Sequence, residues 1–341
     1  MANIRDVARE SGVSASTVSQ VLNEGGRPVN AETRARVLQA ARRLRYHPNA
    51  MARGLLRKRM DTLGMVFLHS HQPIHTAQSF LLMMDGILNV ATRHRQNTLF
   101  CTGYSWSDGD RNLSTLLDRR CDGLILMVPT RDTRLVPILR EQGVPFVVLC
   151  GQSDDPGVTT VDVDNAGEVR ALVGRMAADG HRRIALVHGG PEQQAFSYCG
   201  ERVRGWREAL GAAGLPGDDS LIAAAGGSDE SLARLMGRPS SERPTAFFCV
   251  TDLDALAVAG RLGRAGWRIP EDVSVVGFDD IPDAARSRPP LATVHQPLRE
   301  IGERCAEMLL AQIAGEEEPG RKVLLPAEVC WRGSYAPRRP A

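Results

Sequence analysis

Residues 14–22 read SASTVSQVL, small hydroxyl and amide side chains interrupted by Val18, Val21 and Leu22. If the run is helical, those three apolar residues share one face and the other side chains turn outward. Thr17 and Ser19 carry hydroxyls suited to phosphate oxygens. Ala15, Ser16 and Gln20 are left to meet base edges, where Gln reaches adenine through two atoms and a small side chain accepts a thymine methyl. A polar helix face in a small solvated bundle has the same composition, so spacing alone leaves both readings open.

A second set of chemically capable residues lies much further along. His69, Cys150, Thr251-Asp252 and Asp279-Asp280 each follow an apolar run that reads as a buried strand, and open parallel sheets bind ligands beyond the carboxyl ends of their strands. His69-Ser70-His71 with His75 has the residue types of a metal site, yet it occupies a loop where polar side chains are expected anyway, so no metal is assigned. Cys150, Cys199 and Cys249 near such a cleft would permit thiol chemistry, but cysteines at strand positions usually serve as small apolar fillers.

Three short helices must position the first set. Asn3 with Asp6 forms a capping-box-like start, and Ile4, Val7 and Ala8 give the first helix an apolar face that Gly12-Val13 ends. Ser14 caps the second. A third, opened by Asn30, puts Thr33, Val37, Ala41 and Leu44 on one stripe and stops at His47-Pro48. Two helices around a glycine turn, braced by a third, make a helix-turn-helix, whose second helix enters the DNA major groove. Residues 49–60, NAMARGLLRKRM, read as a basic linker in which Asn49 caps a turn or two of helix carrying Met51, Ala52 and Leu55.

From residue 61 strands alternate with helices. Leu63–Leu68, Thr98–Gly103, Gly123–Val128 and Phe146–Leu149 read as strands separated by helices near 80–95, 109–118 and 132–142. After Asp162-Val-Asp-Asn165 the rhythm repeats through Ile184–His188, a helix containing Gly205-Trp206, Ala246–Val250 and Val273–Phe278. The segments CDGLILMVPTRDTRLVPILREQGVPFVVLC and PTAFFCVTDLDALAVAGRLGRAGWRIPEDVSVVGFDD echo one another as strand, polar loop, helix, turn and strand. The fold class is thus an all-α helix-turn-helix head plus an α/β body of two doubly wound parallel-sheet lobes. The expected divisions are 1–48 for the head, 49–60 for the linker and 61–341 for the body. Lobe 1 takes about 61–161 and 292–320, and lobe 2 about 162–291 and 321–341.

Charge follows that division. Residues 1–60 hold 12 Arg/Lys against four acids, a balance of +8, which leaves −6 on the other 281 of 341 residues. A basic head on a mildly acidic body fits a polyanion-binding module fused to something else. Arg outnumbers Lys 40 to 2, and the seven cysteines form no C-x-x-C pair, which argues against a disulfide framework or a zinc cluster. MANIRDVARE is no basic-then-apolar leader, and GLILMV, PFVVLC and TAFFCV fall short of the roughly 18 residues of a membrane span. A cytoplasmic protein without a membrane partner is expected.

IRDVARESGVSASTVSQVLN followed by VNAETRARVLQAARRLRYHPNAMARGL resembles, densely over residues 3–58, the DNA-binding head of the lactose-repressor (LacI/GalR) family of bacterial transcription regulators. The resemblance implies that Ala15, Ser16 and Gln20 read an operator half-site and that Ser14, Thr17, Ser19, Asn23, Tyr46 and Asn49 lie near phosphates. It also implies a homodimer on a near-palindromic double-stranded operator, with Met51, Ala52 and Leu55 in a hinge helix that enters the minor groove, Leu55 being its wedge. Three departures stand out. Gln20 replaces the family's usual Arg, and Gly54 weakens the hinge helix by about 1 kcal/mol relative to Ala. Gly25-Gly26-Arg27-Pro28 also lengthens the loop before the third helix.

GHRRIALVHG, ERVRGW, VTDLDALA, IPEDVSVVGFDD and PPLATVHQP are similar to that family's effector domain, which resembles periplasmic sugar-binding proteins. The resemblance implies an effector site at Arg202, Asp279 and Gln296, with His69 in the first cleft loop. Thr251 and Cys150 stand where sugar-responsive members often hold Asn and Asp, which puts an ordinary hexose in doubt. Asp279 as a helix cap and Arg202 as a surface ion pair are the bland alternatives.

The expected function is therefore a DNA-binding transcriptional repressor whose operator affinity a sugar or sugar-derived metabolite modulates, nucleoid-associated when bound, with no cofactor. A solute-binding protein of a transport system is the alternative. No G-x-G-x-x-G after the first strand, no P-loop and no G-x-S-x-G are present, so no enzyme is expected. The tail YAPRRPA lacks a heptad, which favours a dimer over a coiled-coil tetramer.

Overall fold

The computed structural model describes residues 2–22, 29–47, 54, 59–67, 77–101, 116–225 and 230–338. The chain divides into two compact units, Met1–Asp61 and Thr62–Ala341.

The first unit contains α1 (Ile4–Ser11), α2 (Ala15–Leu22) and α3 (Ala31–Arg43). Asn3 Oδ1 accepts from the amides of Arg5 and Asp6, while Asp6 Oδ2 accepts from the Asn3 amide 3.0 Å away, completing the reciprocal cap that the spacing suggests. Gly12 then takes φ 68°, which ends α1 without a Cβ penalty. Asn30 Oδ1 caps α3 by accepting from the Thr33 amide at 2.7 Å. Val7, Val18, Val21, Val37, Ala40 and Ala41 close a small core, with Leu22, Leu44 and Tyr46 half-buried around it.

The second unit carries two parallel sheets. Strands β1 (Thr62–Val66), β2 (Asn97–Cys101), β3 (Gly123–Met127), β4 (Phe146–Leu149), β5 (Thr160–Val163) and β11 (Lys322–Leu325) form a six-stranded sheet in the order β11-β5-β4-β3-β1-β2. Strands β6 (Ile184–His188), β7 (Ile222–Ala224), β8 (Ala246–Cys249) and β9 (Ser274–Val276) form a four-stranded one in the order β7-β6-β8-β9. Between them β10 (Thr293–His295) pairs antiparallel with β12 (Glu328–Cys330). The chain reverses its winding direction between β1 and β3 in the first sheet and between β6 and β8 in the second. Those switch points open crevices at the carboxyl ends of the strands.

Helices cover both sheets. In the first lobe these are α4 (Gln78–Arg93), α5 (Leu135–Glu141) and α12 (Leu298–Ala314); α4 packs against α12, which lies along β3, β4 and β5. The second lobe carries α6 (Asn165–Ala178), the single turn α7 (Pro191–Gln194), α8 (Ser197–Ala212), α9 (Glu230–Met236), α10 (Asp252–Arg264) and α11 (Pro282–Arg286). There α6 packs against α8. Gly205 permits that approach, since a Cβ there would stand 2.4 Å from the Ala166 carbonyl oxygen. Next to it Trp206 is fully buried, its indole N–H donating to the Ile184 carbonyl at 3.1 Å. Together they fix the rotation of α8 and aim Arg202, one turn earlier, at the carboxyl end of β8, where its Nη1 donates to the Val250 carbonyl.

One boundary needs correction. The sequence places residues 321–341 in lobe 2, but Lys322–Leu325 pairs with Thr160–Val163 at the edge of the first sheet. Both segments therefore belong to lobe 1. A short V-L-L run flanked by charged residues carries too little periodicity to assign, and its partner β5 is equally short. Only the last stretch returns to lobe 2, where Ser334 Oγ donates to the Val275 carbonyl at 2.6 Å. The expected helix at 109–118 lies almost wholly outside the described residues.

Candidate functional site

On α2 the burial pattern sorts the side chains by role. Val18 and Val21 are buried and Leu22 half-buried, while Ser16 and Gln20, one turn apart, are exposed on the opposite stripe. Ala15, Thr17 and Ser19 are half-buried on its flanks. Ser14 serves the helix itself, because its Oγ accepts from the Thr17 amide at 3.1 Å and lies 2.7 Å from the Ser16 hydroxyl. Tyr46 is half-buried against the head core. Asn23, Asn49, Met51, Ala52 and Leu55 lie outside the described residues.

In the body, the expected effector residues converge. Arg202 on α8 is buried, its Nε–H donating to Asn165 Oδ1 at 2.9 Å and its Nη1 to the Val250 carbonyl and to Asp279 Oδ1, the latter at 3.3 Å. Gln296 Nε2 donates to the same Asp279 oxygen at 2.8 Å. The guanidinium carbon lies 3.7 Å from the centroid of the Phe278 ring and 4.8 Å from that of Tyr198, so aromatic faces complete its environment. Burial this deep replaces the surface-ion-pair reading of Arg202. The helix that follows Asp279, α11, has no side-chain cap, so Asp279 is not a helix cap either.

Cys150 and Thr251 also sit at strand ends, but their polar atoms are otherwise engaged. Cys150 is buried with its thiol 3.5 Å from Met83 Sδ, and burial pushes its pKa well above the usual thiol value, which keeps it protonated. Cys199 and Cys249 are buried too, their thiols also pushed up by burial. Thr251 caps α10, its Oγ1 accepting from the Asp254 amide and donating to Asp254 Oδ2 at 2.6 Å. Asp254 is held further by Gln193 Nε2 at 2.9 Å. His69, with His71 and His75, lies outside the described residues, and among the described residues no group of three His, Cys, Asp or Glu side chains could hold a metal.

Backbone conformation marks the same places. Val128, Cys150, Asp279 and Asp280 all have positive φ, at 51°, 50°, 129° and 57°, and all follow strands. Non-glycine residues held there cost of order 1–3 kcal/mol each and cluster at ligand clamps.

Sequence reasoning misses two participants. Asn165 bridges Arg202 to Asp162, because its Nδ2 donates to Asp162 Oδ1 at 3.1 Å. Asp162 sits in the buried strand TVDV with one carboxylate oxygen bonded and the other, Oδ2, without any partner. An acid alternating with valines in a buried strand is the available signal, since such a placement is costly unless it serves something. Asp162, Asn165, Arg202, Asp279 and Gln296 thus form one continuous hydrogen-bonded chain.

Burial raises the Asp162 carboxyl to about 6, against the opposing pull of the Val163 amide and the Arg202 charge. The folded form therefore binds this proton more tightly than the unfolded chain, whose aspartates titrate at about 3.9. Stability contributed by the protonated form is fully present below that lower value and is lost as pH rises through about 6. Asp162→Asn should thus gain thermal midpoint relative to the parent between about pH 4 and pH 7, with a constant offset above. A difference that stays flat over that range contradicts the assignment.

Comparison with known proteins locates this arrangement. Residues 3–49 match the model of bacterial regulatory proteins of the lacI family, and residues 173–335 match a periplasmic binding protein-like domain. The chain is 32% identical over 349 residues to the HTH-type transcriptional repressor PurR of Aliivibrio fischeri (strain MJ11), covering 99% of each. The chain belongs to the lacI family. The HTH-type transcriptional regulator CelR of Thermobifida fusca is 35% identical over 324 residues, covering 93% of this chain and 94% of that one. A structure of the Lac repressor dimer bound to operator and the anti-inducer ONPF aligns with TM-score 0.80 and 26% identity over 98% of each chain. A transcriptional regulator CelR–cellobiose complex aligns with TM-score 0.73 and 31% identity, over 98% of this chain and 100% of that one.

As a lacI-family member, the chain is a DNA-binding transcriptional repressor rather than an enzyme, and the solute-binding alternative gives way. The head-plus-two-lobe architecture read from sequence is the family's own. Among the described residues no helix is long and apolar enough to cross a membrane.

Proposed function

We propose that this lacI-family repressor binds a near-palindromic operator as a homodimer in the cytoplasm, associated with the nucleoid when bound, and that a small polar effector between the lobes sets its operator affinity. Ser16 and Gln20, with Ala15, read each half-site. Ser14, Thr17, Ser19, Asn23, Tyr46 and Asn49 contact phosphates, and Met51, Ala52 and Leu55 form the minor-groove hinge. Arg202, Asp279 and Gln296 bind the effector, with His69, Cys150 and Thr251 around them. The Lac repressor dimer bound to operator and ONPF, and CelR bound to cellobiose, support both halves of this reading.

The observation that carries it is the buried polar chain from Asp162 to Gln296, which starts on the first sheet, runs through the second lobe and ends where the crossover enters α12. A ligand bonded to it touches both lobes at once. The lobes also meet directly, through the antiparallel bridge of Thr130 with Phe196, Arg131 Nη2 donating to the Ser197 carbonyl at 3.3 Å, and the Asp283 amide donating to Gln78 Oε1 at 3.2 Å. Such contacts distinguish a closed from an open arrangement, and an effector with unequal affinity for the two shifts operator binding by linkage.

The test is a titration of operator with and without a compound that raises the thermal midpoint of the full chain. Operator affinity should change about 5- to 150-fold, and saturating operator should change the compound's affinity by the same factor. A compound that binds at Arg202 yet leaves operator affinity untouched would sink the proposal.

A further inference from the structure

The polar chain in the cleft is unfinished at both ends. Asp162 Oδ2 and Gln296 Oε1 are buried acceptors without any hydrogen-bond partner, whereas the donors that link them are used. Both side chains are at least nine-tenths buried, at 2% and 5% exposure. Leaving a buried acceptor unmade is costly, so two at the ends of one network call for an occupant that donates.

Charge points the same way. Asp162, Asp252, Asp254 and Asp279 are buried, and Arg202 is the one buried Lys or Arg among the described residues. Asp252 is satisfied by Thr293 Oγ1 at 2.6 Å and the Ile281 amide at 2.9 Å, and Asp254 by Thr251 and Gln193. Arg202 bonds Asp279 and reaches Asp162 only through the neutral Asn165. His188 adds no compensating charge, because burial pushes its pKa down and keeps it neutral. Of these four carboxylates Asp162 is therefore the one with a buried oxygen that no donor of the described residues reaches.

The geometry points to an effector that carries a protonated amine together with hydroxyls, an amine-bearing carbohydrate, with its ammonium on Asp162 Oδ2 and a second donor on Gln296 Oε1. This rests on the cleft reading proposed above. The ammonium completes the acid that the chain leaves open, and a hydroxyl or amine N–H completes the amide oxygen at the other end. Asp162 then sets specificity, because a ligand with an acceptor or a methyl group at that point would face an unpaired buried carboxylate.

Calorimetric titration of the full chain at about pH 7 tests this with matched probes: glucosamine, glucose and N-acetylglucosamine, and the corresponding galactose series. At least one amine sugar should bind the parent protein about tenfold or more tightly than both its hydroxyl and its N-acetyl counterparts. Asp162→Asn should erase that preference while retaining the bonds from the Val163 amide and Asn165. Its ligand-free thermal midpoint at the same pH should equal or exceed the parent's, which separates a ligand contact from a structural acid.

A neutral sugar that binds as tightly as its amine, a preference that survives Asp162→Asn, a lowered midpoint for that variant, or no binding by any amine sugar would overturn the inference. The cleft reading is scored separately with Arg202→Lys, which keeps the charge and loses the fork. Weakening of any bound sugar, amine or neutral, by about tenfold or more upholds that reading even where the amine preference fails. Indifference to Arg202→Lys refutes both.

Discussion

Arg202→Ala should lower the unfolding free energy of the body by about 3–5 kcal/mol, because it leaves Asp279 buried without its cation and Asn165 Oδ1 without its donor. The pair is almost wholly desolvated, with side-chain exposures of 4% and 8%, so solvent cannot take over the lost contacts. Burial already raises the Asp279 carboxyl to about 7 with Arg202 opposing the shift, and removing the guanidinium drives it further up. The variant should therefore be least stable relative to its parent at alkaline pH, where the orphaned carboxylate must stay ionised. Urea unfolding on either side of that titration, at about pH 5.5 and pH 8.5, measures both the size and the sign. A loss below ~1 kcal/mol, typical of exposed ion pairs, would mean that water reaches the site and that the pair is not a buried clamp.

Gln20→Ala should relax selectivity at one base pair of each half-site, costing ~1–3 kcal/mol of discrimination there while leaving the phosphate contacts of the other residues in place. Two copies in a dimer double that loss on a palindrome to ~2–6 kcal/mol, from about 30-fold to about 10⁴-fold in preference. Gln20 is exposed on the stripe opposite Val18 and Val21, so the substitution leaves the head core intact. Gln20→Arg should move the preference at the same position from adenine to guanine, since the guanidinium fork matches the O6 and N7 acceptors. Selection of bound duplexes from a random pool, run for parent and both variants at one salt concentration, gives the answer. Identical half-sites from all three would remove Gln20 from the reading set.

How far the sequence reaches depends on what holds each element. The strands at Gly123–Met127, Phe146–Leu149, Ile184–His188 and Ala246–Cys249 are central and buried on both faces, and their unbroken apolar runs identify them. Lys322–Leu325 is an edge strand that alternates between exposed and half-buried residues, and Glu328–Cys330 has only three residues. Their place is decided by a partner distant in sequence, which no local pattern contains. The helix caps at Asn3, Ser14 and Asn30 are legible because capping is chemistry within four residues.

The site divides in the same way. Arg202, Asp279 and Gln296 come from a resemblance, and the structure brings them into one bonded group. Asp162 and Asn165 enter the sequence reading only as the point where the rhythm repeats. Asp164, between them, caps α6 by accepting from the Gly167 amide at 2.9 Å, so one acid of the DVDN run has a local explanation that hides the other. Thr251 is expected to face the effector, yet its hydroxyl completes a capping pair with Asp254, a role that its position before Asp252-Leu253-Asp254 makes readable.

Recognition of a DNA sequence belongs to the head, residues 3–49. Its most direct measurement is competition at physiological salt between the duplex recovered by selection and a random-sequence duplex of equal length, for the full chain, with and without cell extract to supply the effector. A preference of at least ~10³-fold is expected in one of the two conditions. Equal affinity for both duplexes in both conditions would contradict it.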